Sequence, residues 1–320
     1  MKFILSLLLC PLFILATVNE PWRCELFSGY RNDRIHWYLH QAGQGGQRVY
    51  DELYRNLQFW ENGLTFRTIL RDIAFGVNGS YAAFGKGGTL FQAYNGLSFT
   101  NQEAQFQFTP DGWAADTLAY LGYAINLTPD RTYKFILLPL FNFSAHFERI
   151  FRSDGQPNPL VSSDAIGASS FSMQSTVPGA MYQTWYGFGL GGAIQIEPGN
   201  GAKAQVGYTY HWNRCRLHTK FDEDVSLFNG AGVMTSHQVT HTSLTYSEGG
   251  QHGQTGWAEL QWYCTRIWRI GFGAQIHYFF TDTAYPSISQ QVNGVSQTVD
   301  NKLKLRWTSI SGWLQSSWEL

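Results

Sequence analysis

Charge is scarce in this chain. Only 14% of its 320 residues are Asp, Glu, Lys or Arg, against about a quarter in an ordinary soluble domain. The net charge is −1, and no Lys/Arg cluster rises above background. That removes the electrostatic footprint of a nucleic-acid partner. Long apolar runs are missing as well. After Leu15 no segment approaches the ~18 uncharged apolar residues of a spanning helix. Phosphate and metal motifs are also lacking. "FGKGG" (84–88) has neither the length nor the following Ser/Thr of a phosphate loop. "HTKFDEDVS" (218–226) lacks the regular oxygen spacing of a dedicated calcium loop. No cofactor is expected.

Cysteine is rare: Cys10, Cys24, Cys215 and Cys264 are the whole set. Residues 1–18, "MKFILSLLLCPLFILATV", carry one positive charge and then an apolar run, as a secretory signal does. Ala16 is one option for its last residue, with others over Thr17–Asn19. A lipoprotein reading would use Cys10, but "LLLC" lacks the small residue expected before a lipidated cysteine. Three cysteines follow the signal. An odd count in an exported chain leaves a thiol free, or cross-linked to another envelope protein. Cys24, Cys215 and Cys264 are therefore the candidates for a disulfide or cross-link, and three inert thiols are the alternative.

What the chain has in plenty is alternation. In "WRIGFGAQIHYFF" (268–280) every second residue from Trp268 is apolar: Ile270, Phe272, Ala274, Ile276, Tyr278, Phe280. Between them lie Arg269, Gly271, Gly273, Gln275, His277 and one exception, Phe279. A period of two is a strand with two unlike faces. The same pattern recurs in "AADTLAYLGYAINL" (114–127), "YQTWYGFGLGGAIQIE" (182–197) and "KAQVGYTYHW" (203–212). The spacing predicts ten strands, over 25–41, 54–70, 73–86, 113–127, 132–149, 181–197, 203–218, 254–264, 267–281 and 302–320. Pro139 falls inside the fifth, so a bulge or break is expected there.

Connections alternate in length. They are short after 127, 197 and about 264, and long over 152–180, 219–253 and 282–301. The region 219–253 can also extend a hairpin above the membrane. Short turns on one side and long loops on the other are the habit of outer-membrane barrels. An exported, charge-poor chain with such strands places its apolar face in lipid. All backbone groups then pair inside a closed barrel. Tyr133, Phe147, Tyr182, Trp212, Trp268 and Tyr278 would form the interfacial girdles. Glycines on the other face would let the wall curve and leave space inside. The expectation is an all-β chain, with residues 19–320 forming one closed antiparallel transmembrane β-barrel in a bacterial outer membrane. A secreted soluble sandwich is the rival. The partners implied are the lipid bilayer and the outer-membrane assembly machinery.

The inner face holds Lys134, His146, Glu148, Lys203, His211, Glu259, Arg269 and His277, which become the candidate pore-lining residues. Such groups set ion preference in a pore, or form salt bridges in a closed barrel. His146, His211 and His277 could make a metal or acid–base cluster. They lie on different strands without ligand spacing, so the sequence reads them as polar lining, with no catalytic or metal set.

Several stretches resemble the Protochlamydia outer membrane protein family. They are "VYDELYRNLQFWENGLTFRTILRD" (49–72), "YAAFGKGG" (81–88), "LLPLFNFSAHFERI" (137–150), "TWYGFGLGGAIQI" (184–196) and "VGYTYHWNRCRLHTKFDED" (206–224). Tyr210–Trp212 and Trp185–Gly187 are the most specific pieces. The resemblance implies a β-barrel, with porin activity for some members. The C-terminal Leu320 departs from the aromatic ending of that family. The strand rhythm also resembles the up-and-down meander of omptins, ten-stranded proteases with an Asp–His pair and a facing Asp pair. Here His218 matches the histidine, but Arg216 stands where the paired Asp belongs. Over 100–117, Glu103, Asp111 and Asp116 form no close pair. The function expected is a porin-like channel or a structural envelope protein. A surface-binding protein acting through its long loops and an omptin-like protease are the alternatives.

Overall fold

The computed structural model describes residues 17–41, 48–94, 103–108, 110–128, 132–152, 156–157, 170–174, 179–199, 201–228, 234–281, 284–298 and 301–320. Residues 1–16 of the expected signal lie outside them. Ten strands build a wall: β1 (Glu20–Gln41), β2 (Arg48–Leu70), β3 (Ile73–Tyr94), β4 (Pro110–Tyr123) and β5 (Lys134–Arg152). The second half is β6 (Ala180–Glu197), β7 (Ala202–Phe228), β8 (Met234–Tyr263), β9 (Trp268–Phe280) and β10 (Asn301–Glu319). Each strand pairs antiparallel with its neighbours in sequence. β10 then pairs with β1 from Arg23↔Glu319 to Gln41↔Asn301, which closes the barrel and leaves the wall no free edge.

All ten expected strands are present, and several run further. β7 and β8 have 27 and 30 residues, so most of 219–253 is a strand hairpin rather than a loop. Parts of the other long connections also pair, at 170–174 against β7 and at 287–292 against β8. Pro139 causes no break in its own strand. It sits in continuous register opposite Gly192. The interruption falls on the other neighbour, at Ala124, between β4 and the short 125–126 strand. Ala124 N instead donates to Asp72 O at 2.6 Å, so a proline without an N–H faces a strand that has turned away.

The side chains sort by what lies outside the wall. Phe272, Leu190, Phe188, Val206 and Leu314 are exposed, 49–72% of each surface being open. The six expected girdle aromatics are exposed too. From Trp268 to Tyr278 the outward face of β9 stays apolar, about 25 Å of height for a tilted strand. This fits an acyl-chain layer.

Above that belt the polarity inverts along the same strands. On β1, Arg23, Glu25, Arg31 and Asp33 are buried inside while Leu26 and Tyr30 face out. Further along, Ile35, Trp37 and Leu39 are buried inside and Arg34 faces out. On β7, Thr209, His211 and Asn213 give way to Cys215, Leu217 and Phe221 inside, as Trp212 gives way to Arg214, Arg216 and Lys220 outside. On β10, Ser311 and Ser309 give way to Trp307, Leu305 and Leu303. The physical cause is the change of solvent. Where water surrounds the wall, burying each large apolar side chain gains about 1.5–3 kcal/mol. Where lipid surrounds it, nothing is gained by facing inward.

The inner glycines do not leave space. Gly63, Gly76, Gly207, Gly253 and Gly273 are direct cross-strand partners of Phe27, Tyr120, Trp257, Phe279 and Trp313. Each aromatic ring lies where a β-carbon on its glycine would stand. The glycines are sockets for rings that fill the lumen.

Candidate functional site

The inner face of the belt carries three tiers of charge. At the end bearing the short turns and both strand termini, Glu20 accepts from Lys203 Nζ at 2.9 Å, Arg23 Nη2 at 3.1 Å and Gln195 Nε2 at 2.6 Å. Arg269 bonds Glu319 and the Tyr263 hydroxyl. Lys134 reaches Glu197 at 3.6 Å from an exposed position on the rim. One level up, Arg67 bridges Glu25 at 2.7 Å and Glu259 at 3.0 Å. Ser317 and Gln261 add donors to Glu25 at 3.2 and 3.4 Å.

The third tier lies at the top of the belt. Arg31 Nη2 donates to Asp33 Oδ2 at 2.7 Å, and Nη1 donates to Asp116 Oδ2 at 2.6 Å. Asp116 Oδ1 pairs with His146 Nδ1 at 3.0 Å. The His146 ring meets His277 with centroids 4.8 Å apart. His277 stacks on Trp307 at 5.7 Å and 10°, and Trp307 Nε1 donates to Asp33 at 3.3 Å. Glu61 accepts from Ser80 at 2.5 Å. Side chains from β1, β2, β4, β5, β9 and β10 thus meet in the middle of the barrel. A buried ion pair survives only when its remaining donors and acceptors are also engaged; Arg31, Asp33 and Asp116 meet that condition, while His146 Nε2 and both Glu148 oxygens have no hydrogen-bond partner.

Between the tiers is a cavity of about 130 Å³, lined among others by Thr209, His211, Thr255, Asn142 and Tyr120. Its wall runs from Glu20 and Lys203 up to Asp116, His146 and His277. Above it sits the apolar cluster of Trp37, Tyr54, Phe59, Trp185, Phe279 and Trp307, each at most 1% exposed.

Seven of the eight candidate lining residues point inward: His146, Glu148, Lys203, His211, Glu259, Arg269 and His277. His146, Lys203, His211, Glu259 and His277 line the one cavity. Lys203 and Arg269 belong to the rim, Glu259 to the middle tier, and His146, His277 and Glu148 to the top. Lys134 stays exposed on the rim. The three histidines, read as unrelated lining, share one cavity wall. The alternation missed Arg31, Asp33 and Arg67 as partners, although Arg23, Glu25, Arg31 and Asp33 all fall on one parity of β1.

His218 and Arg216 point away from the lumen. His218 Nδ1 contacts Thr245 Oγ1 at 3.0 Å, and its ring lies beside outward Tyr182. Burial and the Lys220 ammonium hold this imidazole below its ordinary pKa. Asp116 sits in the top tier, Asp111 is exposed, and the Glu103 side chain lies outside the described residues. The residues offered by the omptin resemblance are therefore not brought together. Cys24, Cys215 and Cys264 are all free thiols: half-buried, buried in the upper core and exposed in the β8–β9 turn, respectively. No intrachain disulfide joins them.

A model of the Protochlamydia outer membrane protein family matches residues 25–318. No curated protein matches the sequence. Among solved structures, the outer membrane protease OmpT from Escherichia coli is similar over 96% of this chain and 99% of its own, at 13% identity and a TM-score of 0.64. That likeness shows the fold. The Pseudomonas putida toluene transporter TodX covers 95% of this chain and 91% of its own at 11% identity, with a TM-score of 0.28. OprG from Pseudomonas aeruginosa covers 94% and 98% at 9% identity, with a TM-score of 0.27. These two scores are too low to support an argument.

Proposed function

The chain belongs to the Protochlamydia outer membrane protein family, an integral outer-membrane β-barrel, and on that premise we propose that it is a closed structural barrel of the envelope rather than an open porin. One observation carries the reading. The layer of Arg31, Asp116, His146 and His277, with Trp307 and Phe279 above it, spans the lumen from facing walls. Barrels near eight strands are filled by side chains, while sixteen or more hold a wide channel. Ten strands with three tiers of cross-lumen pairing sit at the filled end. Export by the signal at 1–18 and insertion by the outer-membrane assembly machinery complete the reading. The experiment is planar-bilayer conductance of refolded protein, with heat-modifiable gel mobility to certify the barrel. A flat trace at high protein load is expected. Steady unitary conductance from heat-modifiable protein would replace this reading with the porin one.

A second reading, surface binding, has its own support. Past the belt, β7 and β8 continue with Arg214, Arg216 and Lys220 facing out and Cys215, Leu217, Phe221, Leu244 and Tyr246 buried inside. Such a raised, solid platform suits display of a contact surface. Shortening this hairpin and measuring attachment to cells separates the two. An omptin-type activity finds no support in the placement of His218, and incubation with basic peptides tests it directly.

A further inference from the structure

We propose that Asp116, His146 and His277 form a binding site for one divalent transition-metal ion inside the barrel. One donor atom from each residue lies within 4.8 Å of the other two. Donors on a single tetrahedral ion stand ~3.3 Å apart when each bond is about 2.0–2.1 Å. Closure therefore needs a contraction of about 1.5 Å at most, well within the reach of two imidazole rotations.

Three features point to a ligand there. The first is His146 Nε2, which is buried without a hydrogen-bond partner in a residue only 5% exposed. The second is the way outer contacts orient the donors. Thr255 Oγ1 engages His277 Nδ1 at 2.9 Å, which leaves Nε2 free. Arg31 Nη1 occupies Asp116 Oδ2, and Oδ1 lies 3.0 Å from His146 Nδ1, about the spacing of two donors on one ion. Such outer partners fix which atoms of a histidine or carboxylate meet a metal. The third is room, because a cavity of about 130 Å³ reaches the cluster. His211, on the same wall, has hydroxyls at both ring nitrogens, Ser144 at 3.4 Å and Thr209 at 2.9 Å, and takes no part. Imidazole with one carboxylate suits Zn²⁺, Ni²⁺ or Cu²⁺ and disfavours Ca²⁺ and Mg²⁺. The ion would tie β4 and β5 to β9 across the lumen, and the site stands whether or not the lumen conducts.

The test uses the refolded full-length chain in detergent, stripped with EDTA and reloaded with Zn²⁺ or Cu²⁺. One Zn²⁺ per barrel should survive gel filtration. His277→Gln should lower affinity by roughly 100-fold or more, and Thr255→Val by about 10-fold. His252→Gln removes an outward histidine and should change nothing. Equal Zn²⁺ retention by the wild type and the His146→Gln/His277→Gln double variant would mean surface binding only, and would overturn the site. Should the variants lose heat-modifiable mobility, the wild type decides alone. Cu²⁺ electron paramagnetic resonance should show coupling to two imidazole nitrogens, with slow extraction by EDTA. Immediate extraction of all copper would overturn the proposal equally.

Discussion

Arg31 on β1 and Asp116 on β4 meet inside the barrel at 2.6 Å, although two strands of the wall separate them. Their contact turns a cylinder into a braced solid. Arg31 is buried to 1% exposure and also lies 5.5 Å from the Trp307 ring centroid, so charge and packing are combined in one side chain.

Removing that brace leaves Asp33 and Asp116 buried with too few cations. Arg31→Met should therefore cost about 3–5 kcal/mol of unfolding free energy. Arg34→Met, three positions along and on the outer face, should stay within about 0.5 kcal/mol. Urea titration followed by tryptophan fluorescence and gel mobility measures both. Equal midpoints for the two variants would mean the lumen ion pairs carry no stability.

The inversion of polarity along the strands gives a paired expectation on β9. Phe279 is fully buried above the belt and Phe272 is 49% exposed within it. Phe279→Ala should cost about 3–5 kcal/mol, as a core truncation does. Phe272→Ala should cost far less, because lipid fills the gap. Phe272→Arg should cost about 2–4 kcal/mol if the residue faces mid-bilayer. The same titration in lipid vesicles checks all three, and a cheap Phe279→Ala would refute the upper core.

This pair also marks how far alternation can be read. In "WRIGFGAQIHYFF" the period of two gave the strand and its outward face, and Phe272 and Leu190 are exposed as that reading required. Phe279 was the exception, and it belongs to the upper core. Alternation records that two faces differ. It does not record which solvent lies outside at each height, so Ile35, Trp37 and Leu39 read the same whether they face lipid or a core. The top tier was hidden for another reason. Asp116 and His146 are register partners on neighbouring strands, but His277 reaches them from across the lumen. No local spacing encodes that contact, since it depends on barrel closure and on the ring of strands being narrow. The glycine sockets were half legible: their inner-face placement was visible, and their occupants were not.

Those sockets make a third expectation. A β-carbon at Gly253 would collide with the Phe279 ring, and the two are direct partners between β8 and β9. Gly253→Ala should cost about 1–3 kcal/mol through overpacking. Combined with Phe279→Ala the penalty should shrink, because the ring that collides is gone. A double-mutant cycle on urea midpoints measures the coupling. Strict additivity would show that ring and glycine do not share the space.

The thiols report topology. Cys215 lies inside the upper core, Cys24 is half-buried in β1, and Cys264 is exposed in the short turn between β8 and β9. Short turns face the periplasm in this class of barrel. A maleimide added to folded protein in detergent should therefore label Cys264 within minutes and Cys215 only after denaturation. On intact cells, a maleimide that cannot cross the outer membrane should leave Cys264 unlabelled until that membrane is permeabilised. A cysteine placed at Lys302, exposed on the outer face of β10 near the opposite end, should label on intact cells. Mass spectrometry of the labelled peptides reads all positions at once. Labelling of Cys264 from outside, with Lys302→Cys protected, would invert the barrel. It would place the apolar-cored end, with Trp37 and Trp307 inside it, on the periplasmic side.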